Sequence, residues 1–297
     1  MNIEKRPFSS MHTHTLFCDG KDSIETMCRA AYERKLQAIG FSGHSPIFEK
    51  TGIITDSNIS EEKIDEYVSQ ARRAKERWQG KLDVFTGLEV DYIKGLRSAQ
   101  DSDIKALNLD YTIGSVHFII PANGAQPFAI DGPRDEFEKG LAEGFNGDAQ
   151  ALMHSYYDAQ EEMIAIGGFD ILGHADIIKK NFKNKICWPA EEELIRQKEI
   201  AKSAARAGLV VEVNTGGINR GKINDVYPSL TFLRLLREHN IQVIITSDAH
   251  CADHIDGNYD YALQTLIYAN FSEYVLLKQK NNEKIIWQKV KISQNIV

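Results

Sequence analysis

Short apolar runs recur along this chain, and segments with helical periodicity separate most of them. We predict seven strands, which span residues 9–14, 38–44, 82–90, 111–117, 169–174, 209–214 and 241–248. Some of these runs are continuously apolar, as in strands that are buried on both faces of a sheet. Repeated alternation of strand and helix predicts a parallel sheet in an α/β fold. Seven such units predict a closed or nearly closed barrel.

Helices are predicted wherever apolar side chains recur at helical spacing. These segments cover residues 60–79, 147–166, 190–207 and 228–239, and Ser23 is a predicted N-cap for another helix. The pattern places a helix between most pairs of neighbouring strands, as a parallel barrel requires.

Two segments depart from this alternation. Residues 119–143 contain proline and glycine, and we predict a loop that faces a substrate. From residue 278 onward, lysines alternate with apolar residues such as Ile286 and Trp287. Because the positive charge is diluted, this tail is predicted to pack on the barrel as a final strand or helix.

Composition limits the possible partners. The chain has 297 residues, of which 42% are hydrophobic, and residues 1–297 are predicted to form a single domain. A net charge of −7 lacks the basic character of a nucleic-acid binder. The four cysteines are scattered, which favours reduced thiols, and no apolar run has the length of a signal peptide or a membrane span. We therefore predict a cytoplasmic protein without nucleic-acid or membrane partners; its oligomeric state stays open.

Histidines and carboxylates cluster at the ends of the predicted strands. Six of the nine histidines fall there, and carboxylates accompany three of these ends. In a parallel barrel, the carboxyl ends of the strands meet at one mouth. Because side chains alternate along a strand, the two histidines of an H-x-H sequence leave it on one side. The candidate metal ligands are His12, His14, Asp19, His44, Glu89, His117, His174, Asp248 and His250.

These residue types suit a metal cluster. Imidazole and carboxylate donors bind zinc, iron or manganese, and one carboxylate can bridge two ions. A single histidine at a strand end is more often an ordinary hydrogen-bonded residue, and H-x-H alone is a weak motif. The shared placement of all the candidates is what indicates a site with more than one metal ion.

Several motifs carry a more specific signal. Residues 11–20 read MHTHTLFCDG, residues 43–46 read GHSP and residues 115–118 read SVHF. Together with Glu89, Gly-His-x-Asp at 173–176 and Asp-x-His at 248–250, their order resembles the polymerase and histidinol phosphatase (PHP) superfamily. The resemblance spans residues 9–254, and the motifs are similar to those of its histidinol-phosphate phosphatase branch.

The resemblance implies a distorted (β/α)7 barrel with three divalent or trivalent metal ions, which would be zinc, iron or manganese. It also implies hydrolysis of the small phosphate ester L-histidinol phosphate to L-histidinol and phosphate in histidine biosynthesis. Carried over residue by residue, the implied ligand sets are His12, His14, Glu89 and Asp248; Glu89, His117 and His174; and Asp19, His44 and His250. Some relatives have histidine where Asp19 stands, and this harder ligand favours iron or manganese there.

The implied reaction depends mainly on the metal ions. A hydroxide that bridges them would attack phosphorus, while the ions neutralise charge on the phosphoryl oxygens. The leaving group would take its proton from a metal-bound water or from a side chain, for which Asp176 and His254 are the candidates. The sequence does not choose among these donors.

Substrate binding requires cationic or hydrogen-bonding groups around the mouth. Lys179 and Arg220 follow the fifth and sixth predicted strands and are candidates for binding phosphate. Asn214 is a candidate for orienting the substrate or supporting a ligand. Lys180 is a further candidate, but a solvated residue is at least as consistent with its position, because adjacent lysines cannot easily face the same pocket.

Two alternatives remain at this point. One is another PHP phosphoesterase that acts on nucleotides or oligonucleotide ends, which would share every candidate ligand; the acidic composition counts against it. The other is a barrel that binds metal without turnover. Structural metal sites usually close their coordination shell, whereas the implied cluster keeps room for exchangeable oxygen ligands.

Overall fold

The computed structural model describes residues 5–182, 190–280 and 284–292, so Cys187 lies outside the described residues. The strands are β1 Ser9–Ser10, β2 Ala38–Phe41, β3 Asp83–Asp91, β4 Tyr111–Ser115, β5 Phe118–Ile119, β6 Phe128–Ala129, β7 Ile171–Leu172, β8 Val210–Asn214, β9 Gln242–Thr246, β10 Glu273–Lys280 and β11 Lys284–Lys291. The α-helices are α1 Ile24–Glu33, α2 Ile64–Arg77, α3 Ser102–Ala106, α4 Arg134–Phe145, α5 Ala149–Ile166, α6 Lys179–Phe182, α7 Ala190–Ala207, α8 Gly216–Asn219, α9 Leu230–Glu238 and α10 Tyr259–Tyr268. Two 3-10 turns cover Glu49–Thr51 and Ala252–His254.

Seven parallel strands form one sheet in the order β1, β2, β3, β4, β7, β8, β9. The first and last strands meet through a parallel bridge between Thr13 and Ala249. There the backbone N–H of His14 donates to the carbonyl of Ala249 at 2.9 Å, and the N–H of Ala249 donates to His12 at 3.1 Å. The sheet is thus a nearly closed barrel, which confirms the predicted fold class. Several strands are shorter than predicted, because most of the ligand-bearing residues lie just beyond the regular pairing; Glu89, within β3, is an exception.

Apolar side chains fill the barrel interior near the beginnings of the strands. This inner core consists of Met11, Ala38, Phe85, Tyr111, Ile113, Ile171, Val210, Ile244, Val275 and Leu277. Removing each of the larger side chains from water contributes roughly 1.5–3 kcal/mol. A second core packs the helices against the outer face of the sheet. Because both faces of the strands are buried, the sequence shows continuous apolar runs instead of alternation.

The chain's tail closes the amino-terminal end of the barrel. Strands β10 and β11 pair as an antiparallel hairpin. Val275 and Leu277 from β10 join the inner core, and Lys278 Nζ lies 3.3 Å from a carboxylate oxygen of Asp83, the first residue of β3. The prediction that this tail packs on the barrel is confirmed.

The predicted helices are present: the helix at 190–207 has the predicted bounds, and the others have ends shifted by a few residues. Ser23 accepts a hydrogen bond from the N–H of Thr26 and so caps α1 as predicted. None of the helices among the described residues combines the length and apolar character needed to cross a membrane.

The excursion at residues 119–143 is more ordered than a loop. It contains β6, which pairs with β5, and it runs into α4. Gly140 lies within α4, where a Cβ atom would come 2.2 Å from the ring of Phe128. The close contact between this helix and β6 therefore requires glycine, although glycine weakens a helix by about 1 kcal/mol relative to alanine.

Candidate metal centre

The carboxyl ends of the barrel strands open into a cavity of about 730 Å³. Its walls come from the strand ends, from residues 53–58 and from the excursion at residues 126–133. The structure brings all nine candidate ligands together at the floor of this cavity, where residues from the first and last strands become neighbours through closure of the barrel.

Glu89 lies at the centre of the cluster, with 1% of its surface exposed. One carboxylate oxygen, Oε2, is 3.0 Å from His12 Nε2 and 3.2 Å from His44 Nδ1. The other, Oε1, is 2.9 Å from His174 Nε2 and 3.6 Å from His117 Nε2. A carboxylate with imidazole nitrogens on both oxygens has the arrangement of a ligand that bridges two metal ions.

Asp248 is a second carboxylate of the cluster and lies close to the histidines of the H-x-H sequence. Its Oδ1 atom lies 3.3 Å from His14 Nε2 and 3.9 Å from His12 Nε2. The backbone of Asp248 has a φ of +47°, an unfavourable conformation for a residue with a side chain. Gly216 makes this placement possible, because a Cβ atom there would lie 2.7 Å from Asp248 Oδ2. The local strain is consistent with a functional position for the carboxylate.

Asp19 and His250 complete the outer part of the cluster. Asp19 Oδ2 lies 3.0 Å from His250 Nε2, and Asp19 Oδ1 lies 3.3 Å from His14 Nδ1. His44, the third member of this implied ligand set, faces Glu89 and Asp91 at 3.2 and 3.4 Å. The division of the ligands into three sets therefore stays a prediction.

The donors present fit metal ions. Five groups of at least three histidine, cysteine, aspartate or glutamate side chains have their donor atoms within 4.8 Å of one another. His44 Nδ1 is buried and makes no well-directed hydrogen bond to a described residue, although carboxylate oxygens of Glu89 and Asp91 lie 3.2 and 3.4 Å away. Buried polar atoms without a partner are rare, and buried carboxylates need a counter-charge. Cations bound among these donors would satisfy both requirements.

Metal uptake by this site is expected to release protons and to weaken as the pH falls. Burial lowers the pKa of His44, but the carboxylates of Glu89 and Asp91 outweigh burial and raise it to about 10. Burial likewise lowers the pKa of His12, whereas Glu212 and Glu89 raise it well above its usual value. Below these raised pKa values, a metal ion must displace a proton from each imidazole in order to bind.

Calorimetric titration with zinc in buffers of different ionisation enthalpy would count the released protons. The affinity should increase from mildly acidic to mildly alkaline buffer. An affinity that does not change with pH, without proton release, would contradict the assignment of these imidazoles as ligands.

Arg220 lies against the cluster and lines the cavity. Its Nη1 atom donates to the carbonyl of Asp248 and contacts His250 Nδ1, both at 2.9 Å, and Nη2 donates to Asp248 Oδ2 at 2.9 Å. These contacts occupy three of the five N–H groups of a guanidinium. The other two N–H groups donate to none of the described residues and are available to an anion in the cavity.

Asn214 is fully buried below the cluster. Its Nδ2 atom donates to Glu212 at 2.9 Å and to Asp248 at 3.3 Å, while Oδ1 accepts the N–H of Gly216 at 2.7 Å. The position fits the predicted support of a ligand, and Asn214 is absent from the described lining of the cavity.

Lys179 and Asp176 are absent from the described lining of the cavity. In contrast to the prediction, Lys179 turns away from the cavity, because its Nζ atom donates to the carbonyl of Val226 at 2.7 Å and pairs with Asp176 at 3.1 Å. Lys180 lines the cavity instead, where it pairs with Asp131. Asp176 is buried and accepts the N–H of Ser229 at 2.8 Å.

Neither Asp176 nor His254 belongs to the described lining of the cavity. His254 ends the 3-10 turn that follows β9, the last strand of the barrel, and is only half-buried. The positions of the two side chains therefore give no support to a role as proton donor.

Sequence reasoning missed two buried carboxylates beneath the cluster. Asp91 ends β3 and lies 2.5 Å from His117 Nδ1. Glu212 lies in β8, and its Oε2 atom is 2.8 Å from His12 Nδ1. A period of two along a strand was the available signal, because Asp91 shares a face with Glu89, and Glu212 shares one with Asn214.

Known proteins are similar to this chain in sequence and fold. The PHP domain family model matches residues 10–216. The probable histidinol-phosphatase of Schizosaccharomyces pombe is 28% identical over 276 residues, which cover 86% of this chain and 84% of that protein.

Two solved structures share the fold. A protein from Listeria monocytogenes that is assigned to the histidinol phosphatases superposes with a TM-score of 0.75 at 21% identity, over 85% of this chain and 99% of that chain. The histidinol phosphate phosphatase of Lactococcus lactis, solved with zinc, L-histidinol and phosphate, gives a TM-score of 0.65 at 18% identity, over 94% of this chain and 98% of that chain. Since the family model covers more than half of the chain and the barrel carries its cluster at the strand ends, this chain belongs to the PHP domain family.

Proposed function

We propose that this protein is a metal-dependent phosphomonoesterase that hydrolyses L-histidinol phosphate to L-histidinol and phosphate in histidine biosynthesis. The observation that carries the proposal is the cluster around Glu89, which faces an open cavity large enough for a small phosphate ester. The names of the similar curated proteins support the choice of substrate. A cytoplasmic location and a single domain over residues 1–297 stay predictions.

The residues around Glu89 and Asp248 would hold the metal ions. When bound, the ions would supply an acidified water as the nucleophile and neutralise charge on the phosphoryl oxygens. Glu89 would keep neighbouring ions together, since imidazoles face both of its oxygens. We propose that the cluster binds three ions.

The walls of the cavity suit the two ends of histidinol phosphate. Arg220 lies beside Asp248, where it can bind a phosphoryl oxygen through its remaining N–H groups. Phe118 and Phe128 line the cavity next to Asp131. An aromatic surface and a carboxylate offer stacking for an imidazole and a partner for an ammonium group.

Replacing Arg220 with alanine is expected to raise KM by about 10- to 100-fold, because a hydrogen bond to a charged group contributes about 1.5–3 kcal/mol. A decrease in kcat should accompany it, since Arg220 also holds Asp248 and His250. Steady-state phosphate release measures both constants. Lys222→Ala is the matched control, because Lys222 is an exposed cation that lines the same cavity. Unchanged constants in the Arg220 variant would remove this residue from the phosphate site.

A substrate panel tests the proposal itself. The metal-loaded protein should hydrolyse histidinol phosphate with a much higher kcat/KM than a nucleoside monophosphate or a short 5′-phosphorylated oligonucleotide. Preference for either nucleic-acid substrate would favour the alternative PHP phosphoesterase.

A further inference from the structure

Glu212 is a charged residue inside the barrel that the proposed chemistry does not use. It lies on β8 with 0% of its surface exposed. Its Oε1 atom accepts the backbone N–H of His174 at 2.6 Å and Asn214 Nδ2 at 2.9 Å. Its Oε2 atom accepts the hydroxyl of Thr246 at 2.8 Å and lies 2.8 Å from His12 Nδ1. Burying a carboxylate this completely is unfavourable unless its partners offset the loss of hydration.

The partners of Glu212 determine where His12 carries its proton. An ionised carboxylate only accepts hydrogen bonds, so His12 Nδ1 must be the donor. In the neutral imidazole, Nε2 then keeps its lone pair. This nitrogen faces Glu89 Oε2 at 3.0 Å and Asp248 Oδ1 at 3.9 Å, which is the side where a metal ion would bind.

The same arrangement occurs on the other side of Glu89. Asp91 Oδ1 lies 2.5 Å from His117 Nδ1, and Asp91 Oδ2 accepts a hydrogen bond from Asn58 at 2.7 Å. His117 Nε2 faces Glu89 Oε1. His12 and His117 therefore each face Glu89 through Nε2, and each forms a hydrogen bond through Nδ1 with a buried carboxylate.

We propose that Glu212 is a positioning residue for the metal centre. It fixes the tautomer and ring orientation of His12, and it also holds the backbone of His174 and the side chain of Asn214 beside Asp248. Carboxylates that hold metal-binding histidines in this way typically contribute 10- to 100-fold to metal affinity. The inference rests on the metal dependence of the proposed function and is independent of the substrate.

Glu212→Gln is the informative substitution. The backbone N–H of His174 cannot turn, so the amide oxygen of glutamine should face it. The amide nitrogen would then lie against His12 Nδ1 and donate to it. The proton of His12 would move to Nε2, and the lone pair that faces Glu89 would be lost.

Zinc affinity of the metal-stripped protein, measured by competition with a chelating indicator, should fall by roughly 10- to 100-fold in this variant. Asp170→Asn is the matched control, because Asp170 accepts the N–H of Thr112 at 2.9 Å at the opposite end of the barrel. This control is expected to change stability without changing zinc affinity. Wild-type affinity in folded Glu212→Gln would overturn the proposal.

A spectroscopic measurement needs no folded variant. Nitrogen-15 spectra of the zinc-loaded wild-type protein, labelled at histidine, should show His12 protonated at Nδ1 and coordinated through Nε2. The opposite tautomer would overturn the proposal, even if the protein hydrolyses histidinol phosphate. Conversely, absence of hydrolysis would remove the proposed substrate and leave this result intact.

Discussion

Glu89→Gln is expected to reduce phosphate release from histidinol phosphate by at least about 10³-fold, since several kcal/mol of metal-dependent charge stabilisation would be lost. Glutamine has nearly the same shape, but it is neutral and presents an N–H group to one set of imidazoles. Because imidazoles face both oxygens of Glu89, ions on either side would lose their shared ligand. Steady-state kinetics with metal analysis of the same sample would measure the effect.

Glu143→Gln provides the control for this experiment. Glu143 lines the same cavity but is exposed and lies outside the cluster. The Glu143→Gln substitution makes the same chemical change as Glu89→Gln without removing a candidate metal ligand, so phosphate release should stay close to the wild-type rate. A Glu89 variant that keeps full activity and full metal content would exclude a bridging role.

Removal of the metal ions is expected to lower the Tm by about 10 °C, because an ion at a thousandfold its Kd contributes about 4 kcal/mol. Without cations, the buried carboxylates of Glu89, Asp91 and Asp248 lose the charge of the metal ions and keep only the partners that the protein itself supplies. Scanning calorimetry before and after treatment with a chelator would measure the shift, and returning zinc should reverse it.

The Glu89→Gln variant shows whether the change in Tm on chelation comes from ions bound at the cluster. Its Tm should respond much less to the chelator, since its site is already impaired. An equal shift in the variant and the wild type would place the stabilising ions outside the cluster.

The sequence predicted the barrel and the cluster because both depend on local patterns. The carboxyl ends of the strands in a parallel barrel converge regardless of the loop conformations. His12, Glu89 and Asp248 could therefore be assigned to one site without knowing the distances between them. Asp91 and Glu212 were missed because their partners lie on other strands. Only the closed barrel shows that Asp91 contacts Nδ1 of His117 and that Glu212 contacts Nδ1 of His12.

Loop details followed from tertiary contacts that the sequence does not show. Of the adjacent lysines, Lys180 faces the cavity because Val226 and Asp176 hold Lys179 on the other side. The helix α4 was missed because its two glycines weaken the helical pattern, although packing against Phe128 requires one of them.

The most direct test of the metal centre is a titration of the metal-stripped protein with zinc or manganese, with phosphate release from histidinol phosphate measured at each step. The expected result is no release without metal, followed by activity that rises with bound ions and reaches a plateau at three per chain. Full hydrolysis by the metal-free protein, or no hydrolysis by a protein whose cluster is fully loaded, would contradict the proposed function.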